Sequence, residues 1–303
     1  MADLTVLILT YNEEKHIRRC LASLLPVAKR IVLIDSYSTD KTVDIAREMG
    51  AEVLRNRWPG NHAIQFQWGL EHADIATEWV MKLDADEYIL PELAREITTH
   101  LPSLSQETTG IFVKRRVFFM GKWIKYGGYY PTWLLRIWRH GKGVMEQRWM
   151  DEHIKLVEGR AIRFEHDFVD ENLHGLTAWT DKHNHYATRE AADILNILYG
   201  FRNYESVEPK LLGSQAQRKR WLKIRYAAMP LFVRPLLYFT WRYLVRGGFL
   251  DGGPGLVWHT LQGGWYRFLV DAKIYEIYRK TGRNKEAIEK ILAKEYAIDF
   301  TEG

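Results

Sequence analysis

The sequence contains 303 residues, of which 47% are apolar and 27% charged, with a formal net charge of +5 and one cysteine, Cys20. This length accommodates one large or two small domains, and the single cysteine excludes an intramolecular disulfide and a metal site built from several thiolates. The cysteine usage, and the lack of a basic flank before the apolar residues 4–9, predict a cytoplasmic protein without a secretory signal.

The first 90 residues alternate between strand-like and helix-like patterns. Four segments are apolar and predict strands, at 5–9, 31–35, 53–54 and 79–83. Helical patterns lie between them, the first with Asn12 as its expected cap and the third over residues 61–73. Strands that alternate with helices at this spacing favour a mainly parallel sheet sandwiched by helices. The sequence therefore predicts an α/β, Rossmann-like fold for this part of the chain.

Polar residues follow three of these strands at the point where each strand ends. They are Thr10, Tyr11, Asn12 and Glu13 after the first strand, Asp35 and Ser36 after the second, and Asp84 and Asp86 after the fourth. Because ligands of such sheets bind outside the carboxyl ends of the strands, we expect these side chains to converge. An aromatic ring, an amide and several carboxylates suit a nucleotide diphosphate with its metal. Each loop taken alone could equally be a solvated polar turn.

Asp84 and Asp86 end the apolar strand at 79–83. Side chains two apart in a strand point to the same face, about 7 Å apart along the chain. Two carboxylates that close repel each other unless a cation or several donors lie beside them. Oxygen ligands of this kind favour Mg²⁺ or Mn²⁺, so we predict a metal site at Asp84 and Asp86. The alternative is a solvated acidic turn.

From about residue 106 the pattern becomes rich in strands, which suggests that residues 1–105 hold a donor and residues 106–170 an acceptor. Asp151 and Glu152 lie next to His153, and a carboxylate free of metal ligation in this cluster is the best candidate for a general base. The alternative is an ordinary exposed charged turn. His166 is a further candidate ligand for a metal or a phosphate, although a core or surface histidine is the commoner case.

Residues 171–303 are predicted to form a helical region that is basic in one part. Ten Lys and Arg residues and two Glu residues lie between Arg202 and Arg246, a local excess of +8. Such an excess favours an anionic surface as partner, either phospholipid headgroups or nucleic acid. The basic residues expected to contact membrane or phosphate are Arg218, Lys219, Arg220 and Arg225. The acidic strand ends, which suit a nucleotide and its metal, are not expected in a simple nucleic-acid binder. Nucleic acid is therefore the weaker hypothesis for the partner.

The apolar stretch over residues 226–245 follows this basic segment. Prolines and arginines interrupt it, at Pro230, Arg234, Pro235 and Arg242. Because prolines break helices and arginines at bilayer depth are costly, we expect this stretch to lie at a membrane interface and not to cross the bilayer. Aromatic side chains would then lie near the headgroups, among them Tyr238, Trp241, Tyr243, Trp258, Trp265 and Tyr266. The alternative is a helical subdomain that buries these aromatic rings.

Three motifs together carry a resemblance to a known family. They follow the first, second and fourth predicted strands and read Leu9-Thr10-Tyr11-Asn12-Glu13-Glu14, Ile34-Asp35-Ser36-Tyr37-Ser38-Thr39-Asp40-Lys41-Thr42 and Leu83-Asp84-Ala85-Asp86-Glu87. In this order and spacing they make the chain resemble the family 2 glycosyltransferases over residues 4–170. Within that family the chain looks most like enzymes that build bacterial lipopolysaccharide core or capsular glycans. The resemblance implies the A-type nucleotide-diphosphosugar fold and an inverting, metal-dependent single displacement.

The resemblance also implies a role for each matching residue. Tyr11, Glu13 and Asp35 would hold the nucleobase and ribose, Asp84 the ribose or pyrophosphate, and Asp86 the metal. Glu152 would be the general base, with Asp151 as the second choice. The implied donor is a nucleotide sugar, with a UDP-sugar favoured. The implied acceptor is a lipid-linked glycan, lipopolysaccharide or capsule at the inner face of the cell membrane, where the protein would be peripheral.

Two other functions fit parts of the sequence. The first is a catalytically inactive, membrane-associated scaffold with the same fold. The second is a sugar-1-phosphate nucleotidyltransferase, which would carry a glycine-rich phosphate loop after the first strand. Residues 10–13 contain no glycine, and this disfavours the nucleotidyltransferase.

Overall fold

The computed structural model describes residues 1–146, 154–202, 210, 212, 215–296 and 298. The chain divides into two compact units, Met1–His174 and Gly175–Gly303, which we call the N-terminal unit and the C-terminal unit. The boundary lies four residues beyond the position expected from the sequence.

The N-terminal unit contains eleven strands within its described residues. They are β1 (Ala2–Thr10), β2 (Ala28–Asp35), β3 (Glu52–Arg55), β4 (Trp79–Asp84), β5 (Glu87–Ile89), β6 (Thr108–Phe119), β7 (Lys122–Ile124), β8 (Thr132–Arg139), β9 (Gly143–Met145), β10 (Ile154–Leu156) and β11 (Arg160–Glu171). Nine of them form one sheet in the order β3-β2-β1-β4-β8-β6-β11-β5, with β7 beside β6, and β9 pairs with β10 separately. The first four strands of this order pair in parallel, as predicted. The second half is mixed, because β8 runs antiparallel to both neighbours and β5 runs antiparallel to β11.

Within the described part of this unit, four α-helices cover the sheet: α1 (Ile17–Leu24), α2 (Thr42–Glu48), α3 (His62–His72) and α4 (Pro91–His100). Alternate side chains of β1 enter two separate cores, because successive residues of a strand point to opposite faces. Val6 and Ile8 pack in the core that contains α1, α2 and α4, whereas Leu7 packs with Phe66 of α3. The predicted α/β sheet with helices on both faces is therefore confirmed.

The C-terminal unit is helical, as predicted. Its α-helices are α5 (Leu176–Tyr199), α6 (Gln215–Ala227), α7 (Val233–Thr240), α8 (Gly252–Trp258), α9 (Tyr266–Thr281) and α10 (Lys285–Tyr296). Two π-helical turns, Trp241–Val245 and His259–Trp265, extend α7 and join α8 to α9. The core is built mainly from α5, α9 and α10, through residues such as Leu195, Ile274 and Leu292. Among the described residues, no helix is both long and apolar enough to span a membrane.

Candidate functional site

The carboxyl ends of β1, β2 and β4 meet at one edge of the sheet. Thr10 pairs in register with Asp35, and Leu9 pairs with Asp84 on the other side of β1. Parallel pairing thus brings the three sequence motifs together, as the strand pattern predicted. We call this edge the strand-end site and define it by residues 10–13, 35–38 and 84–86.

Asn12 links the loops that follow β1 and β2. It has a positive φ of 57°, its side-chain oxygen accepts a hydrogen bond from the amide of Thr39 at 2.8 Å, and its own amide donates to Ser38 Oγ at 2.9 Å. The expectation that Asn12 caps α1 is wrong, because α1 begins only at Ile17. Asn12 instead fixes two neighbouring loops, and this leaves the Tyr11 ring 60% exposed at the site.

Asp35 is completely buried below these loops. One carboxylate oxygen accepts hydrogen bonds from the hydroxyls of Thr10 at 3.1 Å and Ser38 at 2.5 Å, and the other accepts the amide of Ser38 at 3.0 Å. Ser36 is held similarly, since its hydroxyl accepts a hydrogen bond from Gln65 at 3.0 Å. Asp35 and Ser36 therefore shape the β2 loop, and their direct contact with a nucleotide stays a prediction.

Asp84 is compensated by two basic side chains of the protein. Lys82 Nζ lies 2.9 Å from one of its carboxylate oxygens and Arg136 Nη2 lies 3.6 Å from the other. Burial acts to raise the pKa of Asp84, but the charges of Lys82 and Arg136 outweigh it and hold that pKa well below its usual range. Asp84 is thus an ionised group whose charge is already matched within the site.

Glu87 lies beneath Asp84 and is almost fully buried. One of its carboxylate oxygens pairs with Arg136 at 2.5 Å, and the other accepts the backbone amide of Asp84 at 2.9 Å. Burial raises the pKa of Glu87 above its usual value, and the Arg136 guanidinium opposes this rise. Arg136 therefore joins Asp84 and Glu87, and it holds the end of β4 in place.

Asp86 differs from Asp84 in both position and partners. Strand β4 ends at Asp84, so Asp86 lies in the turn before β5 and not on the same strand. Its side chain is half-buried and accepts a hydrogen bond from Asn172 Nδ2 at 3.0 Å. Arg19 of α1 donates to the backbone carbonyl of Asp86 at 3.3 Å and pairs with the Glu171 carboxylate. Asp86 consequently offers a carboxylate whose side-chain partner is a neutral amide.

Glu13, His16 and His174 form a second polar cluster, and their potential ligand atoms all lie within 4.8 Å of one another. His16 is completely buried, with Nδ1 2.6 Å from the Glu13 carboxylate, and its Nε2 accepts the amide of Leu173 at 2.7 Å. Both ring nitrogens are therefore engaged within the protein. This cluster ties the start of α1 to the segment after β11, and the Glu13 carboxylate predicted to contact the nucleotide serves here as a partner of His16.

The remaining predicted residues lie elsewhere or beyond the described chain. His166 is held by Glu96 of α4 through its ring nitrogen at 2.8 Å and its backbone amide at 3.0 Å. Four strand residues, roughly 13 Å at about 3.3 Å each, separate it from Asp170, which pairs with Glu87 beside Asp86. His166 is thus directed to α4 and not to the predicted metal site. Asp151 and Glu152 lie outside the described residues, so their role as general base stays a prediction.

The basic residues predicted to contact membrane or phosphate all belong to α6. Arg218 and Arg225 are exposed, and Arg225 lies over the ring of Trp221, 5.2 Å from its centroid. The side chains of Lys219 and Arg220 lie outside the part of the chain that the structure describes.

Four residues at the strand-end site were missed from the sequence: Arg19, Lys82, Arg136 and Asn172. Arg136 gave a usable signal, because an arginine inside the apolar strand Leu134-Leu135-Arg136-Ile137-Trp138 needs a buried partner. Lys82 gave another, because it lies two residues before Asp84 in β4, a spacing that places both side chains on one face of the strand. Arg19 and Asn172 reach the site from α1 and from the end of β11, and their positions depend on tertiary packing.

The chemistry available at this edge follows from these contacts. Exposed rings of Tyr11 and Tyr37 can stack on a planar group. The carboxylates of Asp84, Asp86 and the nearby Asp170 give the site an acidic character that suits a cation. Burial raises the pKa of Asp170 to about 6, although Arg115 opposes the rise, and the charges of Asp86 and Asp84 add to it.

A family model and the relatives of this chain both identify it as similar to glycosyltransferases. Residues 5–166 match the model of the family described as Glycosyl transferase family 2. The lipopolysaccharide core biosynthesis glycosyltransferase LpsC of Rhizobium meliloti is 28% identical over 291 residues, which cover 90% of this chain and 92% of that protein. An uncharacterised glycosyltransferase of Rickettsia typhi is 33% identical over 107 residues, which cover 35% of this chain and 36% of that relative, about a third of its length. Among solved structures, residues 1–349 of S. aureus TarS are similar at 15% identity, with 92% of each chain covered and a TM-score of 0.40.

Proposed function

The chain belongs to glycosyl transferase family 2, and from this premise we propose that it transfers a sugar from a nucleotide-diphosphate donor to a lipid-linked glycan or lipopolysaccharide acceptor. The observation that carries the proposal is the register of β1, β2 and β4, which places all three family motifs at one edge within the matched residues 5–166. The nearly full-length similarity to a lipopolysaccharide core glycosyltransferase supports the acceptor class.

The donor would bind across the loops after β1 and β2. Tyr11 is 60% and Tyr37 50% exposed, so either ring can stack on the nucleobase. The hydrogen bonds of Asn12 and Asp35 hold these loops in one conformation, which lowers the entropy lost on binding. A UDP-sugar is the favoured donor because the family resemblance points to it.

A divalent cation, Mg²⁺ or Mn²⁺, fits the donor set at Asp86. Lys82 and Arg136 already balance Asp84, whereas the side-chain partner of Asp86 in the described structure is a neutral amide. Asp86 would therefore be the principal protein ligand, and water and phosphate oxygens would complete the coordination, as such ions commonly require. A cation bound there would offset the negative charge that grows on the leaving diphosphate.

Side chains of the protein would supply the general base and hold the donor. A carboxylate, Glu152 or Asp151, would take the proton of the acceptor hydroxyl as its oxygen attacks the anomeric carbon from the face opposite the diphosphate. Such a single displacement inverts the anomeric configuration. Arg136 and Lys82 keep Asp84 ionised and fixed, so that it can accept hydrogen bonds from ribose hydroxyls without reorganising.

Thermal unfolding in the presence of UDP, GDP and dTDP, each with and without Mn²⁺, tests the donor site. A ligand that binds only the folded chain stabilises it by about 2.7 kcal/mol at a hundredfold excess over Kd. We expect a shift with UDP that requires Mn²⁺ and is lost in Asp86→Asn. The matched control, Asp44→Asn, changes an exposed carboxylate on α2 and should keep the full shift.

Transfer itself is tested by incubating UDP-sugars with lipid-linked or lipopolysaccharide acceptors and following the labelled product. Loss of product in Glu152→Gln, with the UDP shift retained, would assign the base. A chain that shows neither a nucleotide shift nor transfer would overturn the proposal in favour of the inactive scaffold.

A further inference from the structure

The C-terminal unit exposes an unusual number of large apolar side chains between residues 232 and 256. Ten are exposed, by between 37% and 64%: Phe232, Val233, Leu236, Leu237, Trp241, Leu244, Val245, Phe249, Leu250 and Leu256. We call this set the apolar face. Single exposed apolar residues are normal on proteins, but a dense group of this kind marks a site of interaction with another surface.

The helix that carries the centre of the apolar face is firmly anchored on its other side. Arg234 is buried and pairs with the buried Asp271 of α9 at 2.5 Å, and Asp271 also accepts the amide of Phe232 at 2.7 Å. Val233, Leu236 and Leu237 follow at i, i+3 and i+4, which places them together on one face of α7. Their exposure is therefore a property of a fixed helix that packs inside the unit through Arg234 and Pro235 and turns an apolar face to solvent.

A second copy of the chain or a lipid surface could cover the apolar face, and the charge of the neighbouring residues distinguishes between them. Between residues 210 and 250 the sequence has nine Lys and Arg residues and no Asp or Glu. A second copy of the chain would bring the same basic segment against itself, because a two-fold interface pairs identical surfaces. An anionic lipid surface complements both the basic residues and the apolar side chains. Of the basic residues, Lys210, Arg218, Arg225 and Arg246 are exposed.

Most aromatic residues of this region are less exposed than expected for side chains that lie near lipid headgroups. Trp241 is exposed, but Tyr238, Tyr243, Trp258 and Trp265 are half-buried and Tyr266 is buried. Most of the aromatic rings thus belong to the interior of the unit, and the side chains available to a partner are mainly aliphatic.

We propose that the apolar face inserts into the headgroup and upper acyl region of an anionic bilayer, with Arg225 and Arg246 among the residues that contact lipid phosphates. The aliphatic side chains supply the apolar burial and the arginines supply the attraction to negative headgroups. The inference does not depend on the proposed transfer reaction, because none of these residues belongs to the strand-end site.

Vesicle flotation of the full-length chain tests the proposal. We expect binding to vesicles of phosphatidylethanolamine with phosphatidylglycerol, weaker binding to phosphatidylcholine alone, and weakening of binding as salt rises from about 0.05 to about 0.5 M. The variant Leu236→Ser/Leu237→Ser/Leu244→Ser should lose at least about tenfold in partitioning, since each methylene inserted contributes about a factor of four. Arg225→Gln and Arg246→Gln should each cost about fivefold at low salt.

A matched control replaces three exposed apolar residues of the N-terminal unit, in the variant Leu25→Ser/Val144→Ser/Val157→Ser. This control should bind vesicles like the unchanged protein, and thermal unfolding should show both variants folded. Equal loss in the two triple variants, or no binding of the unchanged protein at low salt, would overturn the proposal. So would a dimer in sedimentation that becomes monomeric in the α7 variant while vesicle binding is absent, since the apolar face would then be covered by a second copy.

Discussion

Replacement of Arg136 by leucine is expected to destabilise the N-terminal unit strongly. Arg136 is nearly buried in β8 and pairs with Glu87 at 2.5 Å, and Glu87 is itself only 2% exposed. Burial raises the pKa of Glu87 to about 8, but both carboxylate oxygens accept hydrogen bonds, one of them from the Arg136 guanidinium, and this pairing favours the ionised form. Arg136→Leu therefore leaves a buried carboxylate without its cation.

The magnitude follows from that loss. Breaking a buried ion pair by removing one partner typically costs about 3–5 kcal/mol, because the remaining charge stays desolvated. The contact of Arg136 with the face of Phe168, at 4.9 Å, adds a smaller contribution of about 0.5–1 kcal/mol. Against a total stability of about 5–15 kcal/mol for a typical domain, the change is a large fraction.

Urea denaturation followed by circular dichroism measures this effect. Arg18→Leu is the matched control, because Arg18 pairs with Glu48 at 2.9 Å on the surface and should contribute about 0–1 kcal/mol. Adding Glu87→Gln to Arg136→Leu removes the unpaired charge and should restore part of the loss. If Arg136→Leu were no more destabilising than Arg18→Leu, the inference that Glu87 is held as a buried anion would be refuted.

Three further predictions concern stability. His16→Phe replaces the buried imidazole by a phenyl ring that can make neither of its hydrogen bonds, and should lower the free energy of unfolding by about 2–4 kcal/mol in urea denaturation. The control His72→Phe, at an exposed histidine of α3, should change the free energy of unfolding little. Gly69→Ala should destabilise by about 1–2 kcal/mol despite the better helix propensity of alanine, because the new Cβ would lie 2.5 Å from Ile34 Cγ1; a stabilised variant in the same assay would contradict this packing. Burial, with Arg242 adding to it, lowers the pKa of His259 from 6.5 to about 4, so the unfolded chain binds a proton that the folded chain does not between these values. The free energy of unfolding should therefore fall by up to about 3 kcal/mol as pH falls from 6.5 to 4, and His259→Phe should show a smaller fall in denaturation at each pH.

The convergence of the three motifs at one sheet edge was predictable from the sequence because the information for it is local. An apolar strand that ends in polar residues is visible in the chain itself, and parallel pairing necessarily brings the carboxyl ends of neighbouring strands to one edge. The observed register pairs Thr10 with Asp35 and Leu9 with Asp84, which agrees with that rule. Helix α5 was similarly predictable, since its 24-residue pattern is long and uninterrupted.

Several contacts of the carboxylates were not predictable, because the partners come from distant parts of the chain. Asn172 lies 86 residues from Asp86, and Arg136 lies 49 residues from Glu87. No period or spacing in a single sequence joins such pairs. The residue pattern could therefore identify Asp84 and Asp86 as a candidate metal site, and only the family resemblance assigned the metal to Asp86.

The charges around the two carboxylates support the proposed assignment of the cation to Asp86. If a cation were the sole compensation for both carboxylates of Asp-x-Asp, the two would repel each other in its absence. The folded chain would then be stable only with the cation bound. Lys82 and Arg136 neutralise Asp84 within the protein, so β4 and its turn are stabilised without any ligand. Arg19 and Asn172 hold Asp86 in place, and in the proposed function its carboxylate would be available to a cation that binds with the donor. Because the two carboxylates have these different partners, we expect Asp84→Asn to weaken both folding and donor binding. We expect Asp86→Asn to weaken donor binding alone.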